Sequence, residues 1–284
     1  MIQSYSATPV SPESYALGEG PVWDPVRERL LWVDIPRGRV YAGRLDPFRV
    51  TEEWAFDGTV GAVVVAENGD LLVAERTGLT RIAPDGRRTP VAGLPVPAGS
   101  RLNDGAVDPD GRFVVGSLHL VEPDGAQVLL RLDGGAATVL DDDLNLSNGL
   151  GWSPDGATFY SIDSIPGVIY ARDYPDGTRR ELFRISDGLP DGLCVDRLGN
   201  LWIAIWGRGR IEHRTPGGDL LAVVEVTAPP TTSCAFAGPD LDVLVITTAT
   251  QDLSPTDLTR YPASGRLFTA DVGATGLRTP YWKY

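Results

Sequence analysis

The stretch NGLGWSPDGATFYSID, residues 148–163, joins two short apolar strands through the turn at Asp155-Gly156. Glycine at this turn tolerates the positive φ that tight hairpins require. Five more segments share the pattern: EGPVWDPVRERLLWVD (19–34), VGAVVVAENGDLLVAE (60–75), DGAVDPDGRFVVGS (104–117), DGLCVDRLGNLWIAI (191–205) and SCAFAGPDLDVLVITTA (233–249). The chain is therefore built from a repeated strand–turn–strand unit.

The repeats recur at nearly constant spacing. Their second residues lie 41 to 44 residues apart, at Gly20, Gly61, Gly105, Gly149, Gly192 and Cys234. A period of about 40–45 residues is typical of a propeller blade of four strands. We predict an all-β, six-bladed β-propeller that forms a single domain over residues 1–284. Little sequence follows Gly276, so we expect Tyr15–Leu17 to complete the sixth blade as its outer strand.

Composition limits the partners of this chain. It has 284 residues and a formal net charge of -13, which disfavours binding to nucleic acid or to anionic membranes. No apolar run approaches the roughly 20 residues that span a bilayer, and the N-terminus lacks the pattern of a secretory signal. We expect a cytoplasmic protein, a monomer or weak oligomer, that binds neither nucleic acid nor membrane.

The cysteines and the strand tryptophans are expected to serve the core. Cys194 and Cys234 lie within apolar runs, and a secreted disulfide scaffold would carry more cysteine. We expect them to be buried free thiols. Packing between blades is the expected role of the tryptophans in the strands: Trp23, Trp32, Trp152 and Trp202.

One structural position, repeated six times, carries the main functional signal. The residues just before the aligned positions, here called the ring residues, are Glu19, Val60, Asp104, Asn148, Asp191 and Ser233. The first strand of a propeller blade lines the central channel, so the polar ring residues should converge near the axis. Crowded carboxylates repel one another unless a cation or protons neutralise them, and oxygen ligands suit Ca²⁺, Mg²⁺ or Mn²⁺. At this point two interpretations are possible: a functional metal site, or a structural channel filled with water.

Most of the other candidate residues have two possible interpretations. Arg101 and Asn103, in SRLNDG, could reach the same channel mouth or belong to an ordinary loop between blades. His119 could lie at the mouth or on the surface. Trp206, in AIWGRGR, could wall a sugar pocket or pack within a blade. His213, in RIEHRTP, is expected on the surface.

Six segments in the right order carry a family resemblance: LGEGPVWD, RLNDGAVDPDGRF, SNGLGWSPDGATFYSIDS, PDGLCVDRLGNLWIA, GRGRI and TTSCAF. With them the sequence resembles the senescence marker protein/gluconolactonase family, which includes regucalcin and luciferin-regenerating enzyme. The resemblance implies a six-bladed propeller with one divalent metal in its channel. Glu19, Asn148 and Asp191 would be the metal ligands, and Arg101 and Asn103 the substrate contacts. Ca²⁺, Mg²⁺, Mn²⁺, Zn²⁺ and Fe²⁺ all remain open, with a hard cation favoured by the oxygen ligands.

The resemblance also implies hydrolysis of sugar lactones, with Asp191 as the base. One segment departs from the family, whose members often place a substrate-contacting acidic residue in a loop here. This chain has the shorter GSLHLVEPDGAQ, in which Glu122 or His119 replaces that acid or the contact is absent. A phosphotriesterase-like hydrolase and a non-catalytic propeller that binds metal or a partner protein are the alternatives.

The substrate is expected to be a neutral polyhydroxy lactone of five or six carbons. Arg101, Asn103, Asp104 and His119 offer donors and acceptors that suit hydroxyl groups. An acyl tail would need a continuous apolar lining, which these segments lack.

Overall fold

The computed structural model describes residues 2–123 and 125–284, and it confirms the predicted all-β architecture. Six sheets surround a central channel, and each sheet is one blade. The polypeptide zigzags outward through each blade from an inner strand at the channel to an outer strand at the rim. The fold is a six-bladed β-propeller.

The strands follow one another blade by blade along the chain. Two N-terminal strands come first: β1 (Gln3–Ser6) and β2 (Thr8–Pro9). Blade 1 contains β3 (Gly18–Asp24), β4 (Arg29–Asp34), β5 (Arg39–Leu45) and β6 (Phe48–Ala55). Blade 2 contains β7 (Ala62–Val65), β8 (Leu71–Ala74), β9 (Gly78–Ile82) and β10 (Arg88–Gly93). Blade 3 contains β11 (Ser100–Val107), β12 (Phe113–His119), β13 (Gln127–Asp133) and β14 (Ala136–Leu144).

The second half of the chain repeats this plan. Blade 4 contains β15 (Ser147–Trp152), β16 (Thr158–Asp163), β17 (Val168–Asp173) and β18 (Arg180–Arg184). Blade 5 contains β19 (Leu189–Val195), β20 (Leu201–Trp206), β21 (Arg210–Arg214) and β22 (Leu220–Glu225), with β1 added in parallel to β22. Blade 6 contains β23 (Thr231–Ala237), β24 (Val243–Thr248) and β25 (Phe268–Asp271), and a short helix, α1 (Pro255–Arg260), precedes β25.

The N-terminal segment closes blade 6, but not at the residues predicted. The outer strand is β2, which pairs antiparallel with β25, so the expectation for Tyr15–Leu17 was wrong. Tyr15 is buried and packs edge-on against Trp32, with ring centroids 5.7 Å apart. Leu17 is buried and bridges Ala249. Apolar side chains are needed between blades 6 and 1, whereas the exposed edge accepts Pro9, whose missing N–H is harmless there.

The predicted core residues are in place, with one revision. The four strand tryptophans are buried. Both cysteines are free, with Cys234 buried, Cys194 partly buried and their sulfur atoms 3.6 Å apart. His213 is not a surface residue: its ring stacks on Trp202 at 3.9 Å, and its Nε2 lies 3.0 Å from Asp196 Oδ2. The buried Asp196 carboxylate needs this partner, which explains a histidine in mid-strand.

The channel has two different ends. The ring residues stand where the inner strands begin, here called the upper end. At the lower end lies a cavity of about 470 Å³, bordered above by Asp104 and crossed by the C-terminal tail at Leu277–Pro280. The tail continues to Trp282, whose N–H donates to Val65 O. In the part of the chain that the structure describes, no helix is long and apolar enough to cross a membrane.

Candidate metal and lactone site in the channel

A β-bulge accompanies the ring position in every inner strand except β7. The register shifts fall between Glu19 and Val22, Leu102 and Gly105, Asn148 and Leu150, Pro190 and Leu193, and Thr231 and Ser233. A bulge bends the strand and re-aims the side chain beside it. The strands β3, β11, β15 and β19 thereby deliver their polar ring residues to the upper channel.

Glycines after the ring residues allow the inner strands to approach closely. Gly149 has a φ of +32°, and a Cβ there would lie 2.6 Å from Asp191 O. A Cβ on Gly192 would lie 2.0 Å from Ser233 Oγ. No larger residue fits at either point without moving a neighbouring strand. This tight packing holds β15 beside β19, and β19 beside β23.

The three ring carboxylates form a desolvated acidic cluster. Burial, and then the charge of Asp104, raise the pKa of Glu19 to about 8. Burial also raises the pKa of Asp104 to about 6, against backbone N–H donation from Gly105 and Gly149. Burial and the charges of Glu19 and Asp104 raise the pKa of Asp191 well above its usual value. The cluster therefore holds negative charge at a high free-energy cost.

Arg101 and Asn103 belong to this cluster rather than to a loop between blades. Both are buried in β11. Arg101 Nη1 donates to Asn103 Oδ1 at 2.7 Å and to Leu102 O at 3.0 Å. Burial lowers the pKa of Arg101 to about 10, while the charges of Glu19 and Asp191 act in the opposite direction. The guanidinium thus offsets part of the charge of these two carboxylates.

A chain of hydrogen bonds continues from Asn103 through the ring. Asn103 Nδ2 donates to Asn148 Oδ1 at 2.6 Å and to Ser147 O at 3.0 Å. Asn148 Nδ2 donates to Ser164 Oγ at 2.9 Å, and Ser164 Oγ donates to Pro190 O at 2.6 Å. Sequence reasoning missed Ser164. The available signal was its alignment with an apolar residue, Ile35, in the matching turn of blade 1.

The remaining predicted residues lie apart from the ring. His119 Nδ1 accepts hydrogen bonds from the backbone N–H groups of Val121 and Glu122, at 3.3 and 3.2 Å. Glu122 is exposed. Within residues 2–123 and 125–284, no hydrogen bond or ion pair joins either side chain to a ring residue. Trp206 is partly buried and packs against the apolar cluster that contains Leu17 and Ala249.

The donor set fits a hard divalent cation. The three carboxylates of the acidic cluster interact electrostatically, but among the described residues no three His, Cys, Asp or Glu side chains are close enough to hold a metal ion by themselves. The set implied by the sequence instead combines the carboxylates of Glu19 and Asp191 with the amide oxygen of Asn148. Asp191 receives no hydrogen bond from any residue the structure describes, so its oxygens are free for a ligand. The raised pKa values of Glu19 and Asp191 show that negative charge is unfavourable here, and a bound cation would neutralise that charge.

Fold and site together define a class: six-bladed propellers with carboxylate and amide side chains gathered in the upper channel. The model of the SMP-30/Gluconolactonase/LRE-like region matches residues 17–250. The chain belongs to this family, and the resemblance seen in the sequence is confirmed.

Relatives cover almost the whole chain. Pentonolactonase XacC of Haloferax volcanii is 36% identical over 95% of this chain and 96% of its own length. The 6-deoxy-6-sulfogluconolactonase of Pseudomonas putida is 36% identical over 93% of this chain and 94% of its own length. The crystal structure of a calcium-binding protein, regucalcin, from Agrobacterium tumefaciens superposes with a TM-score of 0.95 at 26% identity, covering 100% of this chain and 99% of that one.

Proposed function

We propose that this protein is a divalent-metal-dependent hydrolase that opens a small sugar lactone to the aldonic acid. The observation that carries the proposal is the desolvated cluster of Glu19, Asp104 and Asp191 beside the Asn148 amide. Two full-length relatives named as lactonases support lactone hydrolysis. The calcium-binding structural relative supports a divalent cation.

Glu19, Asn148 and Asp191 would hold the cation. When bound, the cation supplies Lewis acidity at the lactone carbonyl and lowers the pKa of a water molecule. Asp104 adds a further negative charge beside these ligands, but its Oδ1 already accepts a hydrogen bond from the Gly105 N–H at 2.8 Å. Asp104 therefore strengthens the field of the site from its lower side.

Asp191 would accept the proton of the attacking water. Its carboxylate is buried and receives no hydrogen bond from the described residues, so it is available as a general base. The water oxygen would add to the carbonyl carbon of the lactone, and the C–O bond within the lactone would break. The proton would then pass from Asp191 to the departing lactone oxygen. Arg101 would stabilise the negative charge that develops on the carbonyl oxygen. Asn103 would orient Asn148 and the substrate hydroxyl groups.

We further propose a neutral polyhydroxy lactone as the preferred substrate. Arg101 and the proposed divalent cation together formally balance the carboxylates of Glu19, Asp104 and Asp191, so the upper channel has no spare positive charge to attract an anionic substrate. His119 and Glu122 would supply further polar contacts from the rim. The sulfonated lactone in the name of the Pseudomonas relative is the natural comparison substrate, because its charge tests this point directly.

A turnover screen tests the proposal. Chelator-treated protein receives Ca²⁺, Mg²⁺, Mn²⁺ or Zn²⁺, and acid release is followed for xylono-, arabinono-, glucono- and galactonolactone, the sulfonated lactone, an acyl homoserine lactone and a phosphotriester. Ser233→Ala is the matched control, because Ser233 occupies the ring position of blade 6 without being a proposed ligand. We expect metal-dependent turnover of the neutral sugar lactones by wild type and control. Faster turnover of the phosphotriester, or metal binding without turnover of any compound, would contradict the proposal.

A further inference from the structure

Ser164 occupies a buried turn beside two proposed ligands. It follows β16 directly and is only 2% exposed. Its hydroxyl donates to Pro190 O at 2.6 Å, next to Asp191, and accepts from Asn148 Nδ2 at 2.9 Å. With its single proton committed to a backbone carbonyl, the hydroxyl can meet the amide only as an acceptor. The Asn148 group facing Ser164 must therefore be the NH₂.

This arrangement fixes which end of the Asn148 amide faces the ring. The Nδ2 end points to Ser164, and the Oδ1 end accepts from Asn103 Nδ2 at 2.6 Å. A flipped amide would present N–H donors to a bound cation and would lose both hydrogen bonds. We propose that Ser164 is a positioning residue that holds the Asn148 oxygen in its metal-ligating orientation. The inference rests on the proposed metal site.

A comparison within the molecule shows that the turn itself does not need a hydroxyl. The matching turn of blade 1 has Ile35, and the two turns close alike: Gly38 N–H donates to Ile35 O, and Gly167 N–H donates to Ser164 O, each at 3.1 Å. The ring residue of blade 1 is Glu19, a carboxylate with two equivalent oxygens. Among the ring residues only Asn148 of blade 4 is an amide with distinct ends, and within the described residues the turn after β16 supplies an acceptor for its NH₂.

The test compares Ser164→Ala with Ser11→Ala. Ser11 is also 2% exposed, and its hydroxyl also makes two hydrogen bonds, donating to Glu13 O and accepting from Leu267 N–H, both at 2.9 Å. Affinity for Ca²⁺ and Mn²⁺ is measured by calorimetry on metal-free protein, alongside Tm. We expect Ser164→Ala to weaken cation binding roughly 10- to 100-fold, the usual range for groups that orient a ligand. Ser11→Ala should lose similar Tm and keep wild-type affinity.

A double-mutant cycle separates orientation from general stability. Asn148→Asp gives this position two equivalent oxygens, so Ser164→Ala should barely change cation affinity in that background. Equal losses in both backgrounds, or wild-type affinity in Ser164→Ala, would overturn the role of Ser164. Absence of cation binding by the wild-type protein would instead contradict the proposed function.

Discussion

Blades 2 and 4 both line the channel, but the ring residue of blade 2 is apolar and that of blade 4 is an amide. In blade 2 the residue is Val60, fully buried, and the adjoining strand β7 pairs with β8 in unbroken register. In blade 4 the residue is Asn148, beside a bulge and a glycine at positive φ, with a hydroxyl from the following turn. Blade 2 shows that the fold itself requires neither a polar ring residue nor a bulge in the inner strand. The extra features of blade 4 are therefore those of the site.

The comparison extends to the other polar blades. The bulges of β3, β11 and β19 occur where the ring residue is a carboxylate. The bulge in β23 accompanies Ser233, so a bulge alone does not make a ligand. Bulge and oxygen-rich side chain together distinguish the blades that build the acidic cluster.

The largest expected effect comes from the proposed base. Asp191→Asn keeps an oxygen for the cation but cannot accept a proton, so kcat should fall by roughly 10² to 10⁴ while some cation binding remains. Steady-state kinetics on the best lactone, with calorimetry for the cation, measures both quantities. Ser233→Ala serves again as the control. Full activity in Asp191→Asn would show that another group takes the proton.

The second prediction exchanges the ring residues of the two blades. Asn148→Val removes a ligand and should weaken cation binding by at least about tenfold. Val60→Asn buries an amide without designed partners and should cost about 1–3 kcal/mol of unfolding free energy, with cation affinity unchanged. Denaturant unfolding and calorimetry on both variants make the comparison. A loss of cation affinity in Val60→Asn would mean that blade 2 also shapes the site.

The third prediction concerns pH. In metal-free protein the folded-state pKa values of Glu19 and Asp104, about 8 and about 6, exceed their ordinary values of 4.5 and 3.8. The folded state therefore holds more protons than the unfolded state across this window. The contribution of these groups to stability is fully present below the ordinary values and is lost as pH rises through the folded ones.

A bound cation requires deprotonated ligands, so it should remove this loss and release protons on binding. The Tm difference between metal-loaded and metal-free protein should widen from about pH 5 to about pH 8, reaching several degrees. Thermal unfolding across this range checks it, with the Asp191→Asn variant expected to show a smaller widening. A difference that stays constant or narrows with rising pH would contradict the assignment of these carboxylates to the site.

The architecture was predictable because the repeat is periodic. The spacing of the aligned residues predicted the blade number, and the residues just before them predicted a polar ring of Glu19, Asp104, Asn148 and Asp191. The family resemblance then selected Glu19, Asn148 and Asp191 as the expected metal ligands. Arg101 and Asn103 lie four and two residues ahead of the aligned Gly105, and the family resemblance implied their role as substrate contacts.

What the sequence did not predict depends on partners that are distant along the chain. Ser164 contacts Asn148 and Pro190 from a turn, and no local pattern marks a turn hydroxyl as buried. The strand at Thr8–Pro9 that completes blade 6 is too short and too exposed to be predicted from the sequence. His213 in β21 contacts Asp196, which follows β19 on the far side of β20, and periodicity alone does not reveal this contact.

The central claim is a single divalent-cation site formed by Glu19, Asn148 and Asp191. The most direct measurement is the stoichiometry of Ca²⁺ or Mn²⁺ binding to metal-free wild type and to the triple variant Glu19→Gln, Asn148→Ala, Asp191→Asn. The account predicts one cation per wild-type chain and none per chain of the triple variant, with both proteins folded by circular dichroism. No binding by wild type, or a site that survives in the triple variant, would contradict it.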